Sequence, residues 1–190
     1  MGISGKPETL LDISKVQKDQ IPVIKRFSGG GTVIVDENTL FITLIMNQKV
    51  LEIPPFPEPI LRWSFDFFQK AWNIPGFTLR ENDYCIGDRK CAGNAQYIKK
   101  DRWLHHTSFL WDYSEENMQY LQLPERRPTY RLNRSHTDFL IRLKDLYRMN
   151  WTQEVLIEKL IRTYEFLPFD LNSLKKSTER QSTHHVDKLR

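Results

Sequence analysis

One lysine in this 190-residue chain stands at the head of a run of small residues, KCAGNAQ at 90–96. Lys90 offers a point charge to a carboxylate or a phosphate. The small residues Ala92, Gly93 and Ala95 would let a ligand approach the backbone closely. This combination predicts a site that holds an anion.

A second segment whose residues could bind a ligand lies earlier in the chain. It has three consecutive glycines, Gly29, Gly30 and Gly31, after Ser28. Such a loop lets backbone N–H groups face a ligand without obstruction by side chains. Arg26, just before it, adds a forked cation. The segment therefore predicts a ligand-binding loop, with a flexible hairpin loop as the alternative interpretation.

The elements around these segments read mainly as strands. Gly87-Asp88 predicts a turn between two short runs, and a further strand is expected from Trp103 to Trp111, so that 90–96 would lie between two paired strands. The β-branched and apolar runs 32–35 and 39–46 predict another hairpin, buried on both faces. Cys85 and Cys91 would lie diagonally across the Gly87-Asp88 turn, a poor geometry for a disulfide.

Helical periodicity is present in four places, at about 10–20, 59–73, 136–148 and 152–166. Pro59 suits the first turn of the second helix, and Pro75-Gly76 ends it. Thr152 resembles the start of the last helix, with Val155 and Leu156 on one side. The last two helices are expected to pack rather than to carry chemistry.

Composition limits the possible classes of protein. The length, with 39% hydrophobic and 12% aromatic residues, suits one domain with a core. The net charge of +4 lies mostly in residues 171–190, which hold five Lys or Arg against two acidic residues. The body is therefore nearly neutral, which argues against nucleic-acid binding. We predict a catalytic domain at 1–170 followed by a basic, disordered tail at 171–190.

Targeting signals are not visible in the first twenty residues, which lack both the apolar core of a secretory signal and the Arg-rich character of an organelle presequence. No run approaches 18 apolar residues, so no membrane partner is expected. Two cysteines in a chain of this size favour a reducing compartment or no structural bridge. Cytoplasm or an organellar matrix is the expected location.

Several of these segments together resemble a known family. Residues 26–33, RFSGGGTV, are similar to the R-x-S-G-G-G-x-V motif of lipoate–protein ligases. Asn82-Asp83, then GDRK at 87–90, GNAQ at 93–96 and LHH at 104–106 resemble the later motifs of that family in the same order. The resemblance extends over roughly residues 2–147.

The resemblance implies an α+β fold with a mixed, mostly antiparallel sheet flanked by helices, as in the catalytic domain of the biotin and lipoate ligase superfamily. It implies that lipoate and Mg²⁺-ATP give lipoyl-adenylate, which a lysine of a lipoyl-domain acceptor protein then attacks. ATP, Mg²⁺ and lipoate would be substrates or activators, without a tightly bound cofactor and without a cluster of protein ligands for the metal.

The resemblance also implies roles for individual residues. Lys90 would be catalytic, contacting the lipoyl carbonyl and the adenylate phosphate and compensating charge there. Asn82 and Asp83 would face the nucleotide and its metal. The residues expected to line the substrate pocket are Arg26, Ser28, Gly29, Gly30, Gly31, Gly93, Asn94, Ala95 and His106.

Two motifs differ from the family pattern. Val35-Asp36 stands where His-Asp is common, and Thr107-Ser108 stands where Gly-Thr is common. Relative to the family, the chain is expected to be N-terminally shortened, with an uncovered sheet edge, and to lack an accessory domain after Phe166. Two alternatives therefore stay open. One is a lipoyl or octanoyl transferase using an activated or protein-bound donor, and the other is a catalytically weak acyl-binding protein.

A basic run follows the GNAQ element, with Lys99, Lys100 and Arg102 around Asp101. If this run lies near the mouth of the pocket, its charge would steer an acidic lipoyl domain towards Lys90. An ordinary solvated surface is the alternative interpretation.

Overall fold

The computed structural model describes residues 1–125, 127–146, 151–170 and 184–186. The amino-terminal part contains helices α1 (Pro7–Leu10) and α2 (Ile13–Lys18) and the short strand β1 (Ile24–Lys25). The central part consists of β2 (Thr39–Asn47), α3 (Pro57–Trp72), β3 (Phe77–Arg80), β4 (Asp83–Ile86), β5 (Arg89–Ile98) and β6 (Arg102–Leu110). Short 3₁₀ turns at Glu116–Tyr120 and Thr129–Arg131 lead to α4 (His136–Phe139), and a further turn at Leu143–Leu146 precedes α5 (Gln153–Tyr164) and β7 (His184–His185).

The central sheet has five strands in the order β2-β6-β5-β4-β3, and all neighbouring strands are antiparallel. A parallel bridge between Lys90 and Leu140 adds a later segment beside the start of β5. The predicted α+β fold with a mostly antiparallel sheet is confirmed. Within the described residues, β2 has a strand neighbour on one side only, and β3 likewise.

Helix α3 covers one face of the sheet. Its buried residues include Phe68 and Trp72, and the ring centroids of these two lie 4.8 and 4.7 Å from that of Phe109 on β6. Helix α5 packs on α3, where Leu156 is buried and its carbonyl accepts a hydrogen bond from Trp72 Nε1 at 2.9 Å. Aromatic burial of this kind supplies most of the energy that holds the helices on the sheet.

The ends of these helices follow local chemistry. Helix α3 has proline in its first turn and ends at Asn73, which adopts a left-handed conformation with φ of 47°. Thr152 caps α5, and its side chain accepts a hydrogen bond from the Val155 N–H. The helix predicted for 136–148 is much shorter, because the chain leaves helical geometry at Leu140 and the Ile141 N–H donates to the Lys90 carbonyl at 2.9 Å.

Two predictions about strands are wrong. Residues 90–96 are not a connection between strands, since they lie inside β5. Residues 32–35 form no strand, and β2 is not buried on both faces, because Phe41 and Ile45 are 49% and 67% exposed. The predicted turn at Gly87-Asp88 is confirmed, with Gly87 at a φ of +61°.

The predicted basic tail lies outside the described residues except for 184–186, and its disorder stays a prediction. His184–His185 pair antiparallel with Ile24–Lys25, and the Val186 N–H donates to the Val23 carbonyl at 2.9 Å. Among the helices of the described part, none is both long and apolar enough to cross a membrane.

Candidate functional site

The face of the sheet opposite α3 carries the small residues of β5. Gly93 pairs with Ser108 and Ala95 pairs with His106 on this face. The residues that alternate with them in β5, Ala92 and Asn94, point to the α3 side. A face with so little side-chain volume leaves room for a ligand to lie against the backbone.

Lys90 reaches this face because of a β-bulge. Tyr84 pairs with Ala92 and Cys85 with Lys90, so Cys91 is an extra residue in β5. Cys91 and Ala92 are both fully buried in the core. In a regular strand, Lys90 would point to the same core face as Ala92, because the two are two residues apart. The bulge adds one residue and so turns the Lys90 side chain to the open face. Its Nζ lies 3.7 Å from where a Cβ on Gly93 would be.

The amine of Lys90 is held by a carboxylate. Lys90 Nζ lies 2.6 Å from Asp83 Oδ1, and the two side chains are 24% and 8% exposed. The hydroxyl of Tyr130 donates to Asp83 Oδ2 at 2.8 Å, and the Sγ of Cys85 donates to that hydroxyl at 3.2 Å. Burial, followed by the charge of Asp83, raises the pKa of Tyr130 and keeps its hydroxyl protonated.

Tyr130 was not predicted as a site residue. It lies in a short 3₁₀ turn, Thr129–Arg131, within a segment whose sequence has no periodic pattern. Glu81 holds this turn in place, because its Oε1 accepts from the N–H groups of Thr129 and Tyr130 at 2.7 and 3.3 Å. No motif in the sequence could have placed Tyr130 beside Asp83, since the two are 47 residues apart.

The glycine loop lies against the same part of β5. A Cβ on Gly30 would lie 2.9 Å from Arg26 Nη2, 3.5 Å from the Asn94 carbonyl oxygen and 3.6 Å from the Ala95 Cβ, and Gly30 has a φ of +96°. Around Gly29 and Gly31 an added Cβ would meet nothing within 4 Å. Gly30 is therefore the position at which both space and backbone conformation require glycine.

Arg26 organises this loop from inside. Its Nε donates to Ser28 Oγ at 3.1 Å, and its Nη2 donates to the carbonyls of Gly29 and Gly31 at 2.8 and 3.0 Å. Ser28 is buried. The guanidinium therefore fixes the loop through hydrogen bonds to carbonyls, and a direct contact of Arg26 with substrate stays a prediction.

The two adjacent histidines of β6 lie on opposite faces. His106 faces the glycine loop, with its ring centroid 6.1 Å from that of Phe27 and its Nδ1 hydrogen-bonded to Thr43 Oγ1 at 2.9 Å. Burial and then the charge of Arg26 lower the pKa of His106, which keeps it neutral at pH 7. His105 is fully buried on the α3 side.

The structure thus brings most of the predicted site residues together along β5, from Lys90 near its start to Ala95 and the paired His106. The side chain of Asn94, also predicted to line the pocket, instead points to the α3 side, where it accepts a hydrogen bond from Thr107. Asn82 joins this group through its carbonyl, which accepts from Asn94 Nδ2 at 3.1 Å.

The basic run at Lys99 and Lys100 lies beside the Phe27 end of this group, since the Lys99 amine is 5.4 Å from the Tyr97 ring centroid, which is 5.1 Å from that of Phe27. The run lies at the end of β5 opposite Lys90, nine residues from it, which corresponds to about 30 Å of extended strand.

Metal binding would have to use few protein ligands here. Among the residues that the structure describes, no group of three or more His, Cys, Asp or Glu side chains is placed to hold a metal ion. Asp83, the predicted metal-facing residue, has one oxygen on Lys90 and the other on Tyr130. A metal ion would therefore compete with Lys90 for this carboxylate unless ligands from a substrate phosphate completed its shell.

A five-stranded antiparallel sheet, with helices on one face and a glycine loop beside a re-aimed lysine on the other, is the architecture expected of a lipoate ligase catalytic domain. The family model described as the Lipoyl protein ligase A/B catalytic domain matches residues 1–165. The chain belongs to this family.

Among curated relatives, the chain is 31% identical over 199 residues to "Inactive lipoate--protein ligase 2" of Plasmodium falciparum, a match covering 85% of this chain and 52% of that protein. It is 25% identical over 181 residues to "Probable lipoate-protein ligase A" of Mycoplasma pneumoniae, covering 92% of this chain and 53% of that protein. The chain thus spans about half the length of these relatives.

Solved structures agree on the fold. A bi-partite lipoate protein ligase of Thermoplasma acidophilum superposes with a TM-score of 0.69 at 20% identity, covering 87% of this chain and 65% of that one. A lipoate-protein ligase A bound with ATP superposes with a TM-score of 0.65 at 17% identity, covering 87% of this chain and 66% of that one. At these identities the likeness shows the fold alone.

Proposed function

We propose that this protein attaches lipoate to a lysine of a lipoyl-domain protein through lipoyl-adenylate. The observation that carries the proposal is the amine of Lys90, which a β-bulge directs over Gly93 on the open face, beside the glycine loop. A cation next to accessible backbone suits a reaction in which negative charge develops at a carboxyl and a phosphate.

In the first step, a carboxylate oxygen of lipoate would attack the α-phosphorus of ATP, and pyrophosphate would leave. Lys90 would balance charge on the carboxyl and the phosphate. Gly93 and Ala95 would form the floor for the acyl chain, with Gly29–Gly31 opposite and His106 along its path. Asn82 and Asp83 would face the nucleotide and its Mg²⁺. On turning to the metal, the Asp83 carboxylate would give up its ion pair with Lys90.

In the second step, the neutral amine of the acceptor lysine would attack the acyl carbonyl carbon. AMP would leave, and the nitrogen would lose a proton. Lys90 would again face the oxygen on which charge develops, so one residue would serve both steps. A solved relative that pairs a lipoate protein ligase with its E2 lipoyl domain supports an acceptor of this class.

A second candidate function is transfer from a preformed acyl-adenylate without its synthesis. Both oxygens of Asp83 are already engaged by Lys90 and Tyr130, which leaves the predicted metal-facing carboxylate committed to protein partners. The Plasmodium falciparum relative that bears the name "Inactive" is consistent with a loss of the complete reaction in part of the family. Transfer would need Lys90 and the pocket but no metal at Asp83.

Two assays separate these functions. Pyrophosphate release from ATP with lipoate measures adenylation, and acylation of an apo lipoyl domain by synthetic lipoyl-adenylate measures transfer. Activity in both supports the complete ligase, and activity in the second alone supports the transferase. If neither assay exceeds a Lys90→Ala control, while lipoyl-adenylate still binds, the protein is an acyl-binding protein and the enzymatic proposal is wrong.

A further inference from the structure

The buried histidine of the pair, His105, is the centre of a polar network within the core. Its Nε2 lies 3.1 Å from Ser64 Oγ on α3, 3.3 Å from the Tyr84 hydroxyl on β4 and 3.1 Å from Thr107 Oγ1 on β6. Its Nδ1 lies 3.1 Å from Gln96 Nε2 on β5. A network with this many polar atoms persists in a core only when its hydrogen bonds are satisfied.

The donors on the Nδ1 side determine the tautomer of His105. The Gln96 amide nitrogen has two hydrogens and two acceptors, the Pro57 carbonyl at 3.0 Å and His105 Nδ1 at 3.1 Å. Nδ1 therefore accepts, and the ring proton is on Nε2. Burial, followed by the neighbouring His106, lowers the pKa of His105 to about 4, which is consistent with this single proton.

The hydroxyl hydrogens lead to the same assignment. Ser64 donates to the Leu61 carbonyl at 2.9 Å, and the Tyr84 hydroxyl, 2.6 Å from Ser64 Oγ, donates to Ser64. Thr107 donates to Asn94 Oδ1 at 2.9 Å. None of the three hydroxyls keeps a hydrogen for His105, so the ring donates from Nε2 towards Ser64 and Thr107.

One branch of this network leads out of the core to the candidate site. Because Thr107 donates to Asn94 Oδ1, the amide nitrogen of Asn94 is directed at the Asn82 carbonyl, 3.1 Å away. The pairing of β4 with β5 ends at Tyr84 and Ala92, and this side-chain bond continues the connection one step further. Asn82 immediately precedes Asp83, whose carboxylate holds Lys90.

We propose that Thr107, whose hydroxyl His105 orients, is a positioning residue for Lys90, acting through Asn94 on the Asn82-Asp83 backbone and so on the carboxylate that holds the lysine. The proposal rests on the assigned role of Lys90 in the proposed function. The other branch, through Ser64, reaches α3 and touches β4 through the Tyr84 hydroxyl rather than through the backbone beside Asp83, so it is expected to have no such effect. The two branches start from the same nitrogen at the same distance of 3.1 Å.

The test compares variants that remove one hydroxyl from each branch of the network. Thr107→Val removes the hydroxyl at nearly constant volume, Thr107→Ser keeps a hydroxyl, and Ser64→Ala cuts the branch to α3. The readout is the rate at which an amine-reactive acylating reagent labels Lys90 at a fixed pH, followed by mass spectrometry, with Lys99 and Lys100 as exposed internal references. All three variants leave unchanged the ionisable side chains near Lys90, which include Asp83, Cys85, Cys91 and Tyr130.

Thr107→Val is expected to raise the labelling rate of Lys90 severalfold relative to the references, because a displaced Asp83 no longer holds the amine. Thr107→Ser should return the rate to that of the unmodified chain, and Ser64→Ala should leave it unchanged. Equal labelling in Thr107→Val and the unmodified protein would overturn the proposal. An equal rise in Ser64→Ala would also overturn it, because general loosening of the core would then explain both.

A second readout follows the same variants in transfer from synthetic lipoyl-adenylate to an apo lipoyl domain. Thr107→Val is expected to lower kcat while the KM for the acceptor stays the same, since acceptor contacts are untouched. A change in KM alone would count against positioning of Lys90. The labelling experiment uses neither lipoate nor ATP, so its outcome stands even if the proposed ligase function fails.

Discussion

The Nζ of Lys90 lies 2.6 Å from the Oδ1 of Asp83, across the β4–β5 hairpin. The family resemblance assigns these two residues to different tasks, one at the acyl carbonyl and one at the nucleotide. In the structure they form one ion pair, which Tyr130 supports from the other carboxylate oxygen. The lysine and the carboxylate therefore have to be considered together in any substitution.

Removal of the lysine should affect both activity and stability. Lys90→Met is expected to abolish transfer and adenylation while the protein stays folded. The free energy of unfolding should fall by about 1–3 kcal/mol, because the Asp83 carboxylate, 8% exposed, loses its cation. Urea unfolding gives this value. The double variant Lys90→Met/Asp83→Asn should regain most of the lost free energy of unfolding, because no unpaired carboxylate is left. A double variant as unstable as Lys90→Met would contradict a coupled pair.

Substitution within the glycine loop should separate Gly30 from its neighbours. Gly30→Val is expected to weaken lipoate binding, because the position has a φ of +96° and an added Cβ would lie 2.9 Å from the Arg26 guanidinium. Gly29→Val places the same side chain one residue earlier, where its Cβ would meet no protein atom within 4 Å, so it tests contact with lipoate without that strain. Calorimetry with lipoate measures both. Unchanged lipoate affinity in Gly30→Val would argue against a loop that shapes the pocket.

Stability should depend on pH through His105. Its pKa is about 4 in the folded protein against 6.5 for the free side chain. Between these values the unfolded chain binds more protons, so the free energy of unfolding should decrease as the pH falls from 6.5 to 4. The loss should be about 3 kcal/mol.

Denaturant unfolding across this pH range measures the effect, with His105→Gln as the comparison. The variant should be less stable at pH 7 but show a flatter pH dependence. His106 and His136, whose pKa values burial also lowers, would supply the remaining slope. An unchanged slope in the variant would mean that His105 is not the group that titrates.

Charge reversal at the tip of the β5–β6 hairpin tests a docking role for the basic run. Lys99 and Lys100 are exposed beyond the end of β5, about 30 Å along the strand from Lys90. The Lys99 amine nevertheless lies 5.4 Å from the centroid of the Tyr97 ring, which contacts Phe27 beside the glycine loop, so the docking role stays a prediction. Lys99→Glu/Lys100→Glu is expected to slow transfer from preformed lipoyl-adenylate at low ionic strength and to leave it unchanged at high ionic strength. Equal rates for the variant and the unmodified protein at low salt would contradict the docking role.

Elements with strong local signals were predictable from the sequence. The helix predicted at 59–73 is α3, Pro57–Trp72, because proline suits its first turn and an apolar face follows. Helix α5 begins after Thr152, as its capping side chain indicated. The apolar run 32–35 was misjudged, since strand formation depends on a partner strand as well as on β-branched residues.

The sequence by itself determined which chemical groups are present and in what order, and this was enough to identify the family: the glycine triplet, the lysine before the small residues and the paired histidines. The tertiary structure decided where those groups point. Alternation along a strand assigns each side chain to one of two faces, and one extra residue moves the side chains beyond it to the opposite face. The bulge at Cys91 moves Lys90 to the open face in this way.

The contacts of the lysine also depend on the complete fold. Tyr130 meets Asp83 from 47 residues away, and His105 meets Ser64 from 41 residues away. Local propensity carries no information about such pairs, because their separation is set by how α3 and the later turns pack on the sheet. The amine of Lys90 was therefore evident from the sequence, whereas the carboxylate, hydroxyl and buried network that hold it became visible only in three dimensions.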